Sequence, residues 1–235
     1  MFTYTCAKIS CFGSRKYNED SIFIAIYKKN ILAIAADGLG GHGGGDIASS
    51  LAIKSIQHFL KKQKSFSSHN IQEAISCAND AINRLNGPKT TIAVLYINDD
   101  NAIAAHVGDS RIYQFRGGKV LFQSQDHSVS QMAVAVGEIT NDQIRSHPDR
   151  NKLLRALGSS EKIKSEITEL SVKNNDAFLL CSDGFWELIY ENEMEQDLIV
   201  AKNNVKIWQK NMIERIKNRL NEKSDNYSAI TIIVK

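Results

Sequence analysis

Four aspartates stand where apolar runs give out. Asp37 follows Ile31 to Ala36, Asp183 follows Ala177 to Cys181, Asp109 lies between two extended runs, and Asp225 sits at the mouth of the last one. A carboxylate at a strand tip can reach a ligand, and acids at four strand ends could share one rim. Unneutralised, such a group repels itself, so convergence requires cations. The ligands on offer are oxygens, with no cysteine or histidine cluster at metal spacing, and this selects magnesium or manganese over zinc. Taken singly, each acid has a plainer origin, because Asp beside Gly is a common turn.

Around Asp37 the chain reads Asp37-Gly38-Leu39-Gly40-Gly41-His42-Gly43-Gly44-Gly45-Asp46. Three chemistries compete for this stretch: a phosphate cradle, an oxyanion hole of the His-Gly-Gly-Gly type, and a metal site built on Asp37. A phosphate cradle needs Lys followed by Ser or Thr after its glycines, and Asp46-Ile47 follow instead. An esterase needs the pentapeptide Gly-x-Ser-x-Gly, which the chain lacks, so that reading rests on glycines alone.

These residues must be positioned by elements legible in the periodicity. Ser21 to Tyr27 and Ile31 to Ala36 read as an antiparallel hairpin turning at Lys28-Lys29-Asn30. Helical spacing of Ile47, Leu51, Ala52, Ile56, Phe59 and Leu60 follows, with Asp46 placed to cap the first turn. Ile71, Ala74, Ile75, Ala78, Ile82 and Leu85 predict a second helix, broken by Asn86-Gly87-Pro88. Extended runs then cover Thr91 to Ile97, Ala102 to Val107, Ile112 to Phe115 and Lys119 to Phe122, with turns at 98–101 and 116–118 too short for a crossover. From Asp126 to Gly158 the chain is polar: Thr140-Asn141-Asp142-Gln143 resembles a capping box, and Pro148 ends what it starts. Ile163 to Leu170 alternates like a half-buried strand, Val205 to Leu220 carries a long amphipathic pattern, and Ala229 to Val234 closes the chain as a strand. Strands apolar on both faces need cover on both sides, which two packed antiparallel sheets with helices outside supply.

The chain has 235 residues, 43% of them hydrophobic, enough for an ordinary core, and no linker or repeat divides it. A formal charge of +3, from 29 basic and 26 acidic residues spread along the chain, gives no argument for nucleic acid. No apolar run approaches the roughly 20 residues that span a bilayer. Met1 to Cys6 has no basic and apolar leader pattern, so a cytoplasmic protein without membrane association is expected. Cys6, Cys11, Cys77 and Cys181 form no CxxC pair and read as reduced thiols.

Arg15-Lys16-Tyr17-Asn18-Glu19-Asp20, Asp37-Gly38-Leu39-Gly40-Gly41-His42, Val107-Gly108-Asp109-Ser110-Arg111, Ser182-Asp183-Gly184 and Asp225-Asn226 stand in the order and approximate spacing of the metal-dependent protein phosphatase 2C family. The resemblance is to its bacterial branch and covers essentially the whole chain. Thr90-Thr91, Asp126-His127-Ser128 and the segment from Gly137 through His147-Pro148 to Gly158 also resemble that branch, the last corresponding to its flap.

The resemblance implies an α+β fold, a four-layer α-β-β-α sandwich of two central antiparallel sheets flanked by helices. It implies one catalytic domain over residues 1–235 with a flap at about 126–158. The activity implied is hydrolysis of phosphoserine and phosphothreonine in proteins with two Mn2+ or Mg2+ ions and a weaker third. By that resemblance Asp37 bridges both metals, the Gly38 carbonyl, Asp183 and Asp225 complete the set, and Asp109 helps hold the third ion. Glu19 and Asp20 contact the metals directly or through water, and Arg15 holds the substrate phosphate. Two cations sharing one water lower its pKa and aim it at phosphorus, while the planar guanidinium of Arg15 donates parallel hydrogen bonds and keeps its charge. The expected partners are phosphorylated proteins, targets of a serine/threonine kinase, met by a monomer. Departures from the family pattern are Lys89 where glycine is usual, Leu39 where animal members place a histidine, and Phe185-Trp186-Glu187, whose aromatics are read as packing. A silent regulatory module of the same fold is the alternative, but every ligand acid is present.

Overall fold

The computed structural model describes residues 2–27, 29–40, 43–63, 66–159 and 162–235. In chain order its strands are β1 (Tyr4–Cys11), β2 (Ser21–Tyr27), β3 (Asn30–Ala36), β4 (Gly38–Leu39), β5 (Lys89–Thr90), β6 (Ile92–Asn98), β7 (Asn101–Val107), β8 (Arg111–Arg116), β9 (Lys119–Gln123), β10 (Glu166–Ser171), β11 (Ala177–Cys181) and β12 (Tyr227–Val234). The helices are α1 (Gly45–Leu60), α2 (Ser68–Asn83), α3 (Val129–Ala135), α4 (Asp183–Trp186), α5 (Glu191–Ala201) and α6 (Val205–Lys217).

Two five-stranded antiparallel sheets, ordered β1-β12-β11-β8-β9 and β10-β7-β6-β3-β2, form the centre. Three apolar layers hold them. Ile31, Ala33 and Leu95 meet Phe178, Leu180 and Ile230 between the sheets. Leu32, Ile34 and Val94, on the other face of their sheet, meet Ile56 and Ile75 of α1 and α2. Tyr113, Phe115 and Leu179 meet Met194, Trp208 and Met212 of α5 and α6. The two-faced apolarity of β3 and β12 is thus the signature of central strands in a four-layer α-β-β-α sandwich. The hairpins β2-β3, β6-β7 and β8-β9 pair as the short connections require.

Some local features depart from the sequence reading. β1 escapes it because its small and polar residues carry little period: Cys6 faces the inter-sheet layer while Ala7, Ile9 and Cys11 face α6. α5 escapes it because Ile199 and Val200 point outward and Asp197 inward, blurring the stripe. The N-cap of α1 is Gly44, in a left-handed conformation at φ 101, so Asp46 stands within the first turn instead of capping it. The capping box at Thr140 and Gln143 is formed, but it opens a 3-10 helix over Asn141–Ser146. Cys6 and Cys11 lie on opposite faces of β1, and all four cysteines are free thiols.

Candidate metal centre and phosphate site

Register brings the four strand ends to one rim. Ala36 at the end of β3 pairs with Ser21, Cys181 at the end of β11 pairs with Ala229, and Cys11 at the end of β1 pairs with Tyr227. The residues just beyond these pairs are Asp37, Asp20, Asp183, Asp225 and the turn leading to Arg15. Asp109 arrives separately, in the three-residue crossing from β7 to β8 that carries the chain from one sheet to the other.

Asp37 is held through its backbone. Its N–H donates to Thr91 Oγ1 at 3.0 Å, and its carbonyl accepts from Thr91 N–H at 2.9 Å and Thr90 Oγ1 at 2.7 Å. The paired threonines therefore clamp the acid. Lys89, in place of the usual glycine, sits exposed in β5 opposite Leu39 with a φ that needs no glycine, so the turn is undisturbed. Gly38 is obligatory for a different reason: a Cβ there would run into the Gly45 carbonyl. Glu19 buttresses that approach, its Oε1 accepting the Gly45 N–H at 3.2 Å and its carbonyl accepting Gly38 N–H at 3.2 Å. The Glu19 carboxylate thus caps α1 from outside, favourably placed for the helix dipole.

Asp20, Asp37, Asp109, Asp183 and Asp225 form one electrostatic cluster. Burial, then Asp183, Asp20 and Asp109, push the Asp37 carboxyl well above the usual carboxylate range. Burial followed by Asp183 does the same to Asp109, burial followed by Asp225 raises Asp183, and burial above all raises Asp20 to about 7. The carboxyls of Asp37 and Asp183 are in hydrogen-bonding contact, which two bare carboxylates cannot sustain. Asp20 Oδ2 accepts from Ser182 Oγ at 2.8 Å, but its buried Oδ1 has no partner among the described residues. Oxygen donors lacking compensating charge, together with an orphaned buried carboxylate oxygen, fit hard divalent cations.

Arg15 flanks the cluster. Its Nη2 donates to Asp225 Oδ2 at 2.8 Å, and its side chain remains 57% exposed. Asn226 fixes the loop that carries it, donating from Nδ2 to the Phe12 and Tyr17 carbonyls at 2.9 Å while Oδ1 accepts Glu19 N–H at 2.8 Å. A groove of about 360 Å³ opens beside these residues, lined among others by Arg15, Arg150, Asp183, Glu187, Lys223 and Asp225. Every acid picked out in the sequence is near this rim, with Glu19 turned toward α1. Gly41 and His42 lie outside the described residues.

With that geometry in place, a family model described as Protein phosphatase 2C matches residues 10–224. The chain belongs to the protein phosphatase 2C family. The serine/threonine phosphatase stp of Listeria welshimeri is 30% identical over 204 residues, covering 81% of each chain. The crystal structure of the Mycobacterium tuberculosis serine/threonine phosphatase PstP/Ppp superposes with a TM-score of 0.84 at 26% identity, covering 99% of this chain and 98% of that one. A PstP catalytic domain in complex with two manganese ions superposes at 0.85 and 25% identity, covering 100% of this chain and 99% of that one. This phosphatase 2C chain is a metal-dependent enzyme of the serine/threonine protein phosphatase class.

Its site contains supports that the motifs alone do not disclose. Trp186 does more than pack: its indole N–H donates to the Asp109 carbonyl at 2.9 Å, and the Arg111 guanidinium lies 3.5 Å over its ring. Arg111 forks onto Asp126, Nε to Oδ1 at 2.8 Å and Nη2 to Oδ2 at 2.7 Å, with both side chains buried. Arg145 ties the 3-10 turn to Glu191 at 2.8 Å and to the Trp186 carbonyl at 3.1 Å, and Arg150 bonds Glu187 at 2.9 Å. Of this network only Asp126, Arg145 and Arg150 lie in the polar segment 126–158, while Arg111, Trp186, Glu187 and Glu191 reach them from elsewhere in the chain.

Tertiary pairing also creates a cluster that sequence spacing hides. His106, His127 and Glu166 bring one potential ligand atom each within 4.8 Å of one another. The phosphatase 2C chain uses their lone pairs otherwise. Gly108 N–H donates to His127 Nδ1 at 3.2 Å, so the neutral ring carries its proton on Nε2, facing Glu166 Oε2 at 3.4 Å. His106 Nε2 bonds the Gln125 carbonyl at 2.7 Å, and the two rings stack at 4.7 Å. Burial, then the neighbouring His106, lower the His127 pKa to about 4, which keeps it neutral. The trio is a hydrogen-bonded stack joining β7, β10 and the segment after β9.

Proposed function

We propose that this enzyme removes phosphate from phosphoserine and phosphothreonine in proteins, using two Mn2+ or Mg2+ ions held by Asp37, the Gly38 carbonyl, Asp183 and Asp225, with a weaker third at Asp109. The observation that carries the reading is the convergence, beside Asp225, of four buried carboxyls, Asp20, Asp37, Asp109 and Asp183, whose protonation is raised chiefly by burial and further by neighbouring acids. Bound there, divalent cations supply the charge that lets these acids stay ionised, a water of lowered pKa, and neutralisation of the phosphoryl oxygens. Asp20 would orient a water on the bound ions through its unpartnered oxygen, and Glu19 holds Gly38 against the site.

Arg15 binds the substrate phosphate. A guanidinium has five N–H donors, one of which is committed to Asp225, so the rest of the fork faces the groove. Asn226 keeps it there. The segment 126–158 acts as a flap over that groove, contributing Arg150, with its pose set by the Arg145 and Arg111 ion pairs. No enzyme nucleophile is needed, and Cys181, buried with its thiol raised above the usual range, is not one. Phosphorylated products of a serine/threonine kinase are the natural substrates, met by a monomer in the cytoplasm. Four free cysteines support that compartment, and no helix among the described residues is long and apolar enough to cross a membrane.

Chelation should abolish hydrolysis of a phosphothreonine peptide and Mn2+ should restore it. Asp37→Asn or Asp183→Asn protein retaining full activity overturns the assignment.

A further inference from the structure

Away from the acid centre, β1 and α6 frame a groove that no part of the phosphatase reading uses. Among the described residues β1 pairs only with β12, leaving one ladder edge free. Which groups face that edge follows from the register. Thr3 and Lys235 exchange both backbone hydrogen bonds, so by alternation Thr5, Ala7 and Ile9 bond β12, while the N–H and C=O of Tyr4, Cys6 and Lys8 point outward.

Above this edge α6 presents Lys206, Lys210 and Lys217 on one stripe, all exposed, at helical spacing. Among the described residues Lys206 and Lys217 form no ion pair, and Lys210 has only a 3.6 Å contact with Glu214. Beneath the lysines the floor is Ala7, Ile9 and Ile213, around a cavity of about 320 Å³. A second cavity, about 500 Å³, shares Lys206 and extends past Thr5. Two buried polar atoms here lack partners, the Thr5 hydroxyl and the Gln209 amide nitrogen. Gln209 is 6% exposed and lines the first cavity.

We propose that this groove takes an extended acidic peptide that adds as a strand beside β1. Its backbone would satisfy the outward groups of Tyr4, Cys6 and Lys8, and alternate carboxylates would lie under the α6 lysines. Alternation is required because successive strand side chains face opposite ways, one set toward α6 and the other toward the margin of the inter-sheet layer near Tyr4 and Cys6. A lysine on an edge strand itself, such as Lys8, discourages indiscriminate pairing. The α6 stripe stands off the strand and selects the charge of what enters. A lipid surface or a nucleic acid could use the lysines but not the open ladder, so the concave floor and free edge favour a peptide. The proposal is independent of the acid centre.

The test is fluorescence anisotropy on the whole protein with a labelled heptapeptide alternating glutamate and valine, alongside amide hydrogen exchange. Binding should slow exchange at the amides of Cys6 and Lys8. The combined Lys206→Glu and Lys217→Glu variant, whose fold is checked by unchanged hydrolysis of p-nitrophenyl phosphate, should bind about tenfold more weakly. A peptide with proline at the central valine should also lose about tenfold, since it cannot complete the ladder. Equal binding of the proline peptide, no protection at Cys6 and Lys8, or binding of only single-stranded oligonucleotide or phosphatidylserine vesicles would each overturn the proposal.

Discussion

Trp186 links the chemistry to the fold, and replacing it with phenylalanine isolates that link. Phenylalanine keeps an aromatic ring against Arg111 but removes the indole N–H that bonds the Asp109 carbonyl at 2.9 Å. Asp109 is 4% exposed, so its carbonyl has no easy water to replace the lost donor. A buried acceptor left unsatisfied costs about 1–3 kcal/mol. The guanidinium over the ring at 3.5 Å loses some of its attraction as well, about 0.5–1 kcal/mol, because phenylalanine has the weaker quadrupole. Trp186→Phe should therefore destabilise the metal-free protein by about 1.5–4 kcal/mol, or roughly 3–16 °C in melting temperature for a chain of this size. Freed from its tether, Asp109 should also bind the weaker ion proposed there several-fold less tightly. Urea denaturation in EDTA gives the first number, and Mn2+ titration followed by calorimetry gives the second. Stability unchanged within about 0.5 kcal/mol, with an unchanged Mn2+ isotherm, would refute the claim that the indole holds this acid.

Other perturbations separate structure from chemistry. Arg111→Ala leaves Asp126 buried without its cation and should cost about 3–5 kcal/mol in denaturation experiments. Arg15→Ala should change stability by less than about 0.5 kcal/mol, because its ion pair with Asp225 is largely exposed, yet should raise KM and lower kcat on a phosphothreonine peptide. The pH dependence should invert with metal. In the metal-free protein Asp20 and Glu187 titrate at about 7, against ordinary values of 3.8 and 4.5, each chiefly through burial. The folded state then holds more protons than the unfolded one between these limits, so stability falls as pH rises through that window. Scanning fluorimetry in EDTA should give a higher melting temperature near pH 5 than near pH 8, with Mn2+ raising it most at the alkaline end.

Much of this was legible from residue order. Strands apolar on both faces, such as Ile31 to Ala36 and Ala229 to Val234, can only be central strands covered twice, which dictates the layered sandwich. The acids were legible because Asp37 and Asp183 follow such strands, Asp225 precedes one and Asp109 stands between two. What the sequence could not disclose depends on side chains meeting from distant positions. Asn226 reads as an ordinary turn residue until it is seen stapling Phe12, Tyr17 and Glu19. Trp186 reads as core because nothing local announces that its N–H reaches Asp109. His106 and His127 are 21 positions apart, and only the β7 register and the turn after β9 stack them. β1 and α5 stayed hidden because their apolar residues are small or point outward, so tertiary contact rather than periodicity decides them.

The most direct test of the whole account is a crystal structure of the protein grown with Mn2+, examined by anomalous scattering at the manganese edge. Two peaks should lie against the Asp37 carboxylate, with Gly38, Asp183 and Asp225 as further ligands and any weaker peak at Asp109. Peaks confined to the His106, His127 and Glu166 stack, or none near Asp37, would contradict the account.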